Sequence, residues 1–185
     1  MSTSTTRRTV SGLSIDIVNP TPDAIHILDI AHGLALQCRF AGQIREFYSV
    51  AQHSVMVSRL VPREDALWGL LHDASEAYIS DVPSPLKQTP FLTGYRMVEA
   101  GLMNAVLKQF GLAGVYCDMP RSVRQADKVA LATEFRDLCG WPPEAAESEA
   151  GARPSVHPLE SLDWQSARRL FMDRYREITS WRRAE

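Results

Sequence analysis

The stretch Gly69-Leu70-Leu71-His72-Asp73-Ala74-Ser75-Glu76-Ala77-Tyr78 sets three polar, metal-capable side chains inside an apolar helical pattern. If it is helical, His72, Asp73 and Glu76 stand at i, i+1 and i+4, so His72 and Glu76 share a face with Asp73 beside them. Burying such groups unpaired costs on the order of several kcal/mol, so the segment needs a bound cation or mutual pairing. Whatever fold the chain adopts must bring further polar partners to this helix.

A chain of 185 residues with 45% hydrophobic content can bury a core, and it reads as one domain over 1–185. A formal net charge of -2 gives no bulk field for a nucleic-acid polymer. Cys38, Cys117 and Cys139 lack metal-knuckle or redox spacing and read as reduced, mostly buried thiols. The Ser/Thr-rich start, Met1 to Thr9, reads as a loose segment rather than a signal peptide, and no run has membrane-spanning length. The expected compartment is the cytoplasm.

Along the chain the pattern predicts an all-α bundle of about six helices behind a short extended N-terminal arm. The first helix is expected over 25–40, where His32 reads foremost as a packed histidine; Arg39 and Phe40 end it before Ala41-Gly42-Gln43. Ser49 with Gln52 forms a capping-box pattern opening a helix over 50–60, which carries His53. A third helix should run from about 63 to 78, followed by a proline-stiffened loop placing Asp81 and Lys87. Further helices are expected over 95–110 and 121–138, each ended by glycine, and Asp127 lies on the second of them. On its own Asp127 also fits a helix carboxylate paired to Arg124. The 140–160 segment reads as an exposed loop, with His157 a bystander, and a closing helix over 161–181 is capped by Asp163.

His53, His72-Asp73 and Asp127, in that order on three helices, resemble the H…HD…D signature of the HD-domain metal-dependent phosphohydrolases. The resemblance extends to Phe47-Tyr48-Ser49-Val50-Ala51-Gln52-His53-Ser54, Leu70-Leu71-His72-Asp73-Ala74-Ser75-Glu76, Asp81-Val82-Pro83-Ser84-Pro85-Leu86-Lys87 and Val123-Arg124-Gln125-Ala126-Asp127. It spans a core of about 25–138 and is strongest to small bacterial 5'-deoxynucleotidases and to phage and prophage HD hydrolases, some acting on dATP. The resemblance implies metal ligands His53, His72, Asp73 and Asp127, catalytic carboxylates Glu76 and Asp81, and an Arg-aromatic pair at Arg39-Phe40. It also implies a homo-oligomer. The aromatic is often Trp in the deoxynucleotidases, and phage-type relatives often carry His where Gln43 stands.

The residue chemistry agrees with that reading. Two imidazoles and two carboxylates suit one divalent ion, Mn, Co or Zn foremost, with Mg and Fe also compatible. Glu76 suits a proton acceptor, Asp81 a group positioning water or protonating the leaving oxygen, Arg39 and Lys87 phosphate ligands, and Phe40 a sugar or base contact. The expected activity is hydrolysis of a phosphate ester of 2'-deoxynucleotides. The alternatives are a dNTP triphosphohydrolase releasing tripolyphosphate, and a non-catalytic nucleotide-sensing module.

Overall fold

Near the N-terminus Thr6–Arg8 (β1) and Ser14–Asp16 (β2) pair antiparallel, so the expected extended arm is a small hairpin. The buried Asp29 carboxylate accepts from Ser11 N–H and Oγ–H, both at 2.7 Å, tying the hairpin to the helical body. A computed structural model describes residues 4–112 and 114–183. Of the loose start read over Met1 to Thr9, Met1–Thr3 lie outside the described residues, and β1 replaces part of the remainder.

Helix α1 (Ile27–Leu36) stops short of the expected residue 40. Gln37 turns extended, and its side-chain amide donates to the Gly33 and Glu76 carbonyls. Cys38 then bridges antiparallel to Ser49, which turns the chain before Arg39 and Phe40 rather than after them. The capping box at Ser49 forms with Gln52 and launches α2 (Val50–Leu60). Eight of the eleven residues of α2 are buried, among them Gln52, His53, Ser54 and Ser58, so α2 is an interior helix. It packs against α1 and against α3 (Ala66–Leu71), α7 (Arg121–Asp137) and α9 (Trp164–Arg183). Two of these polar residues find distant partners: Gln52 donates to the Glu160 carbonyl, and Arg174 of α9 donates to both Ser58 oxygens.

The expected third helix is broken. After α3 the chain makes a tight turn through His72–Ser75 and resumes as α4 (Glu76–Ile79). A one-turn helix, α5 (Ser84–Lys87), follows within the proline loop, because Pro85 sits in a first turn where its missing N–H costs nothing. α6 (Thr93–Gln109) and α7 match their expected spans within two residues. In the supposed 140–160 loop, Pro143–Ala150 form α8, which buries Ala146 and Ala150 and packs on α7; two alanines per helix are too faint a stripe to read as amphipathic. α9 begins after Asp163, whose carboxylate accepts from Ser166 N–H, and buries Ala167, Phe171 and Ile178.

All-α architecture is thus the observed class. Among the described residues no helix is long and apolar enough to cross a membrane. The three thiols are free, but Cys117 is exposed and Cys38 and Cys139 are half-buried, which corrects the expectation that they are mostly buried.

One contact fixes how α1 meets α4. A Cβ on Gly33 would stand 2.7 Å from the Ala77 carbonyl oxygen and 2.9 Å from its Cα. Helix propensity favours Gly33→Ala by about 1 kcal/mol, whereas the backbone clash costs about 1–3 kcal/mol. We expect the variant to melt below the parent in thermal denaturation; a raised Tm would contradict this packing.

Candidate functional site

Four side chains from three elements converge: His53 from the first turn of α2, His72 and Asp73 from the turn after α3, and Asp127 from α7. The two Nε2 atoms lie 3.2 Å apart. Asp127 Oδ1 is 3.2 Å from His53 Nε2, and Asp73 Oδ2 lies 3.2 Å from His72 Nε2 and 3.6 Å from His53 Nε2.

The partners of the other ring nitrogens decide what this cluster is. His72 Nδ1 lies 2.8 Å from the Gly69 carbonyl, and His53 Nδ1 lies 2.7 Å from Glu134 Oε1. A carbonyl and a carboxylate accept, so both Nδ1 atoms carry a proton, and the two Nε2 atoms are left facing each other and the two carboxylates. Such a set needs a shared cation, either a proton on His53 Nε2 or a metal ion. Ligands at about 2.0–2.1 Å from one ion stand roughly 3.0–3.4 Å apart, and three of the four distances, each 3.2 Å, fall in that range while the Asp73–His53 distance of 3.6 Å lies just beyond it. His53, His72 and Asp127 therefore form a group that could hold a metal ion.

Electrostatics agree. Burial and Arg39 both oppose a proton on His53, yet Glu134 and Asp127 push its pKa up to about 10, the signature of a position that needs positive charge. Burial would raise Asp73, but His72, His53 and Arg39 hold it well below the usual carboxylate range. Burial likewise opposes ionisation of Asp127, and its bond to His53 lowers it nonetheless.

The turn carrying His72 and Asp73 is tighter than an α-helix. Glu76 N–H donates to the Asp73 carbonyl at 3.0 Å and Tyr78 N–H to Ser75 at 3.0 Å, while the Gly69 carbonyl, which a continuing α-helix would offer to residue 73, is engaged by the His72 ring. In this three-residue pattern Asp73 and Glu76, rather than His72 and Glu76, come onto one side. Burial first, then Asp73 and Asp81, raise the Glu76 carboxyl well above its ordinary value, against the pull of Lys87.

These groups line a cleft of about 1120 Å³, together with Arg39, Phe40, Asp81 and Lys87; His53 stands behind its wall, fully buried. The sequence thus named residues that the fold gathers, but two are not free as expected. Arg39 gives Nε and Nη2 to Glu134 Oε2, at 3.0 and 2.9 Å. Lys87 Nζ bridges Glu76 Oε1 at 2.7 Å and Glu99 Oε1 at 2.8 Å. Asp81 is positioned through its backbone, whose N–H donates to Gln37 Oε1, and burial raises its carboxyl pKa. Phe40 packs on Phe135 at 5.6 Å between ring centres. Phe40 and Ala41 both hold positive φ, 55° and 52°, each costing about 1 kcal/mol or more. His32 lies edge-on to Trp164, Arg124 donates to the Met119 carbonyl, and Arg45 reaches the cleft wall.

Sequence reasoning missed Glu134 and Glu99. Each is an acid on the buried face of its helix, Glu134 seven residues after Asp127 and Glu99 three before Leu102. An acidic residue on an apolar face was the available signal.

Fold and site together define a helical protein with a candidate metal centre on a large cleft. Over 131 residues the chain is 44% identical to the uncharacterized protein YfdR of Escherichia coli (strain K12), covering 71% of each. Over 154 residues it is 36% identical to the uncharacterized protein RCAP_rcc00048 of Rhodobacter capsulatus, covering 78% of this chain and 76% of that one. The chain belongs to the family of these proteins, and their names carry no activity. No protein-family model matches it.

Glu134→Gln keeps the shape but removes the charge that orients His53. Metal affinity, titrated calorimetrically on chelator-stripped protein, should fall about 10–100-fold, the usual effect of losing such a partner; unchanged affinity would sink the role given to Glu134.

Proposed function

We propose that this chain is a metal-dependent phosphohydrolase of HD type that hydrolyses the phosphate ester of 2'-deoxynucleotides. The observation that carries the reading is the convergence of four electron-pair donors at the wall of a cleft that also presents Glu76. His53, His72, Asp73 and Asp127 would hold the ion. When bound, a divalent cation offsets charge on phosphate oxygens and makes water acidic enough to attack near neutral pH.

Glu76 is the proton acceptor. Lys87, itself held by Glu99, donates to its Oε1, while Oε2 is buried with no hydrogen-bond partner among the described residues. A carboxyl whose pKa is raised by burial and neighbouring acids is a stronger base than an exposed one. Asp81, also raised by burial, is suited to return a proton to the leaving oxygen. Arg39, held by Glu134, keeps a fixed positive charge beside the ligand set, and Phe40 meets the sugar.

Charge balance favours the monoester over a triphosphate. The cleft is lined by Arg39, Arg45 and Lys87 against Asp73, Glu76, Asp81, Glu99, Asp127 and Glu149. Three cations among six acids suit a dianion with one metal better than a polyphosphate.

With Mn, Co or Zn restored to chelator-treated protein, dAMP should yield deoxyadenosine and inorganic phosphate. Glu76→Gln should bind metal normally and lose about 10²–10⁴-fold in kcat. Full turnover by that variant would remove Glu76 from the mechanism. Tripolyphosphate released from dATP would instead favour the triphosphohydrolase, and nucleotide binding with no turnover on any metal would favour a sensing module.

A further inference from the structure

One end of the cleft is built from rings. Phe135 and Trp141 lie parallel, their centres 4.5 Å apart and their planes 9° off, and Phe40 leans on Phe135 with its plane tilted by 45°. All three line the cleft. One face of Trp141 is taken by Phe135, and the residue nevertheless remains 39% exposed.

The backbone holds the arrangement. Gly140 has φ 72°, and a Cβ there would stand 2.1 Å from the Arg45 guanidinium, so the chain turns sharply between α7 and Trp141 with Arg45 lying across the turn. Trp141 N–H returns to the Phe135 carbonyl at 3.0 Å. Phe40 is kept in place by two left-handed residues in a row and by Arg39, which is locked to Glu134. Four separate constraints thus hold the three rings at this end of the cleft.

Distance connects this end to the metal centre. Asp127, Leu131 and Phe135 succeed one another on the cleft face of α7, and at 1.5 Å per residue Phe135 sits roughly 12 Å along the helix from Asp127. A bound phosphate alone would leave that span empty. A sugar carrying a planar heterocycle fills it.

We propose that Trp141, backed by Phe135 and flanked by Phe40, is a stacking shelf for the nucleobase of the substrate. Recognition is by the face of the ring, so the site requires a base and favours the larger purine surface over a pyrimidine. The proposal rests on the phosphohydrolase reading for where the phosphate sits, but the shelf itself can be tested without turnover.

The test compares dAMP with 2-deoxyribose 5-phosphate, which lacks the base. In Trp141→Ala the ratio of kcat/KM for dAMP over the base-free ester should fall about tenfold, the order carried by one base–aromatic stack, and Trp141→Phe should restore most of it. A ratio that does not move, or equal losses for both esters, overturns the shelf. Saturation-transfer NMR on the wild-type protein with dAMP gives a readout independent of hydrolysis and of how the variants fold. Strongest saturation at the adenine protons supports the shelf even where no ester is cleaved; strongest saturation at the sugar, or none, overturns it. Absence of hydrolysis with saturated adenine protons would retire the catalytic reading and keep the binding one.

Discussion

Glu134, buried on α7, takes the His53 Nδ1 proton on one oxygen and the Arg39 guanidinium on the other. Those two bonds link the interior helix α2, the turn after α1 and helix α7. Breaking a buried pair of this kind costs about 3–5 kcal/mol because the remaining charge is stranded. The same bonds fix the imidazole so that its free nitrogen faces the cluster. The candidate metal centre is therefore built from behind, and its open side is left to the carboxylates of Asp73 and Asp127, which are the more exposed members of the cluster.

Helix packing supplies the precision this requires. α2 lies inside the bundle with His53 buried in its first turn, and close approaches replace side chains where another helix must come near. A Cβ on Gly69 would lie 3.0 Å from Ser58 Cα, so α3 approaches α2 closely just before the turn that carries His72. Gln37 does the corresponding job on the other side, donating to the Glu76 carbonyl and accepting from Asp81 N–H. Shifts in α1 would therefore be transmitted to both carboxylates assigned to proton transfer.

Local chemistry made part of this legible in the sequence. The capping box at Ser49, the cap at Asp163 and the glycine stops of α6 and α7 rest on residues within one turn of each other, and their spans were readable. The polar trio at 72–76 was visible as a conflict with its apolar surroundings. What stayed hidden depends on partners far along the chain: Arg39 meets Glu134, and Lys87 meets both Glu76 and Glu99. Spacing alone showed two cations near a candidate phosphate site and could not show that each is matched by an acid. The tight turn at His72 was likewise hidden, since it follows from a ring nitrogen bonding the Gly69 carbonyl. α8 and the N-terminal hairpin are too short to carry a strong periodic signal.

The account stands on two imidazole nitrogens and carboxylate oxygens closing on a single cation. X-ray absorption spectroscopy at the metal edge of cobalt- or zinc-loaded protein examines that directly. The account predicts a first shell of two nitrogen and at least two oxygen neighbours at about 2.0–2.2 Å with imidazole multiple scattering, lost when His53 and His72 are both replaced by alanine. An all-oxygen shell without imidazole scattering, unchanged by those replacements, would contradict it.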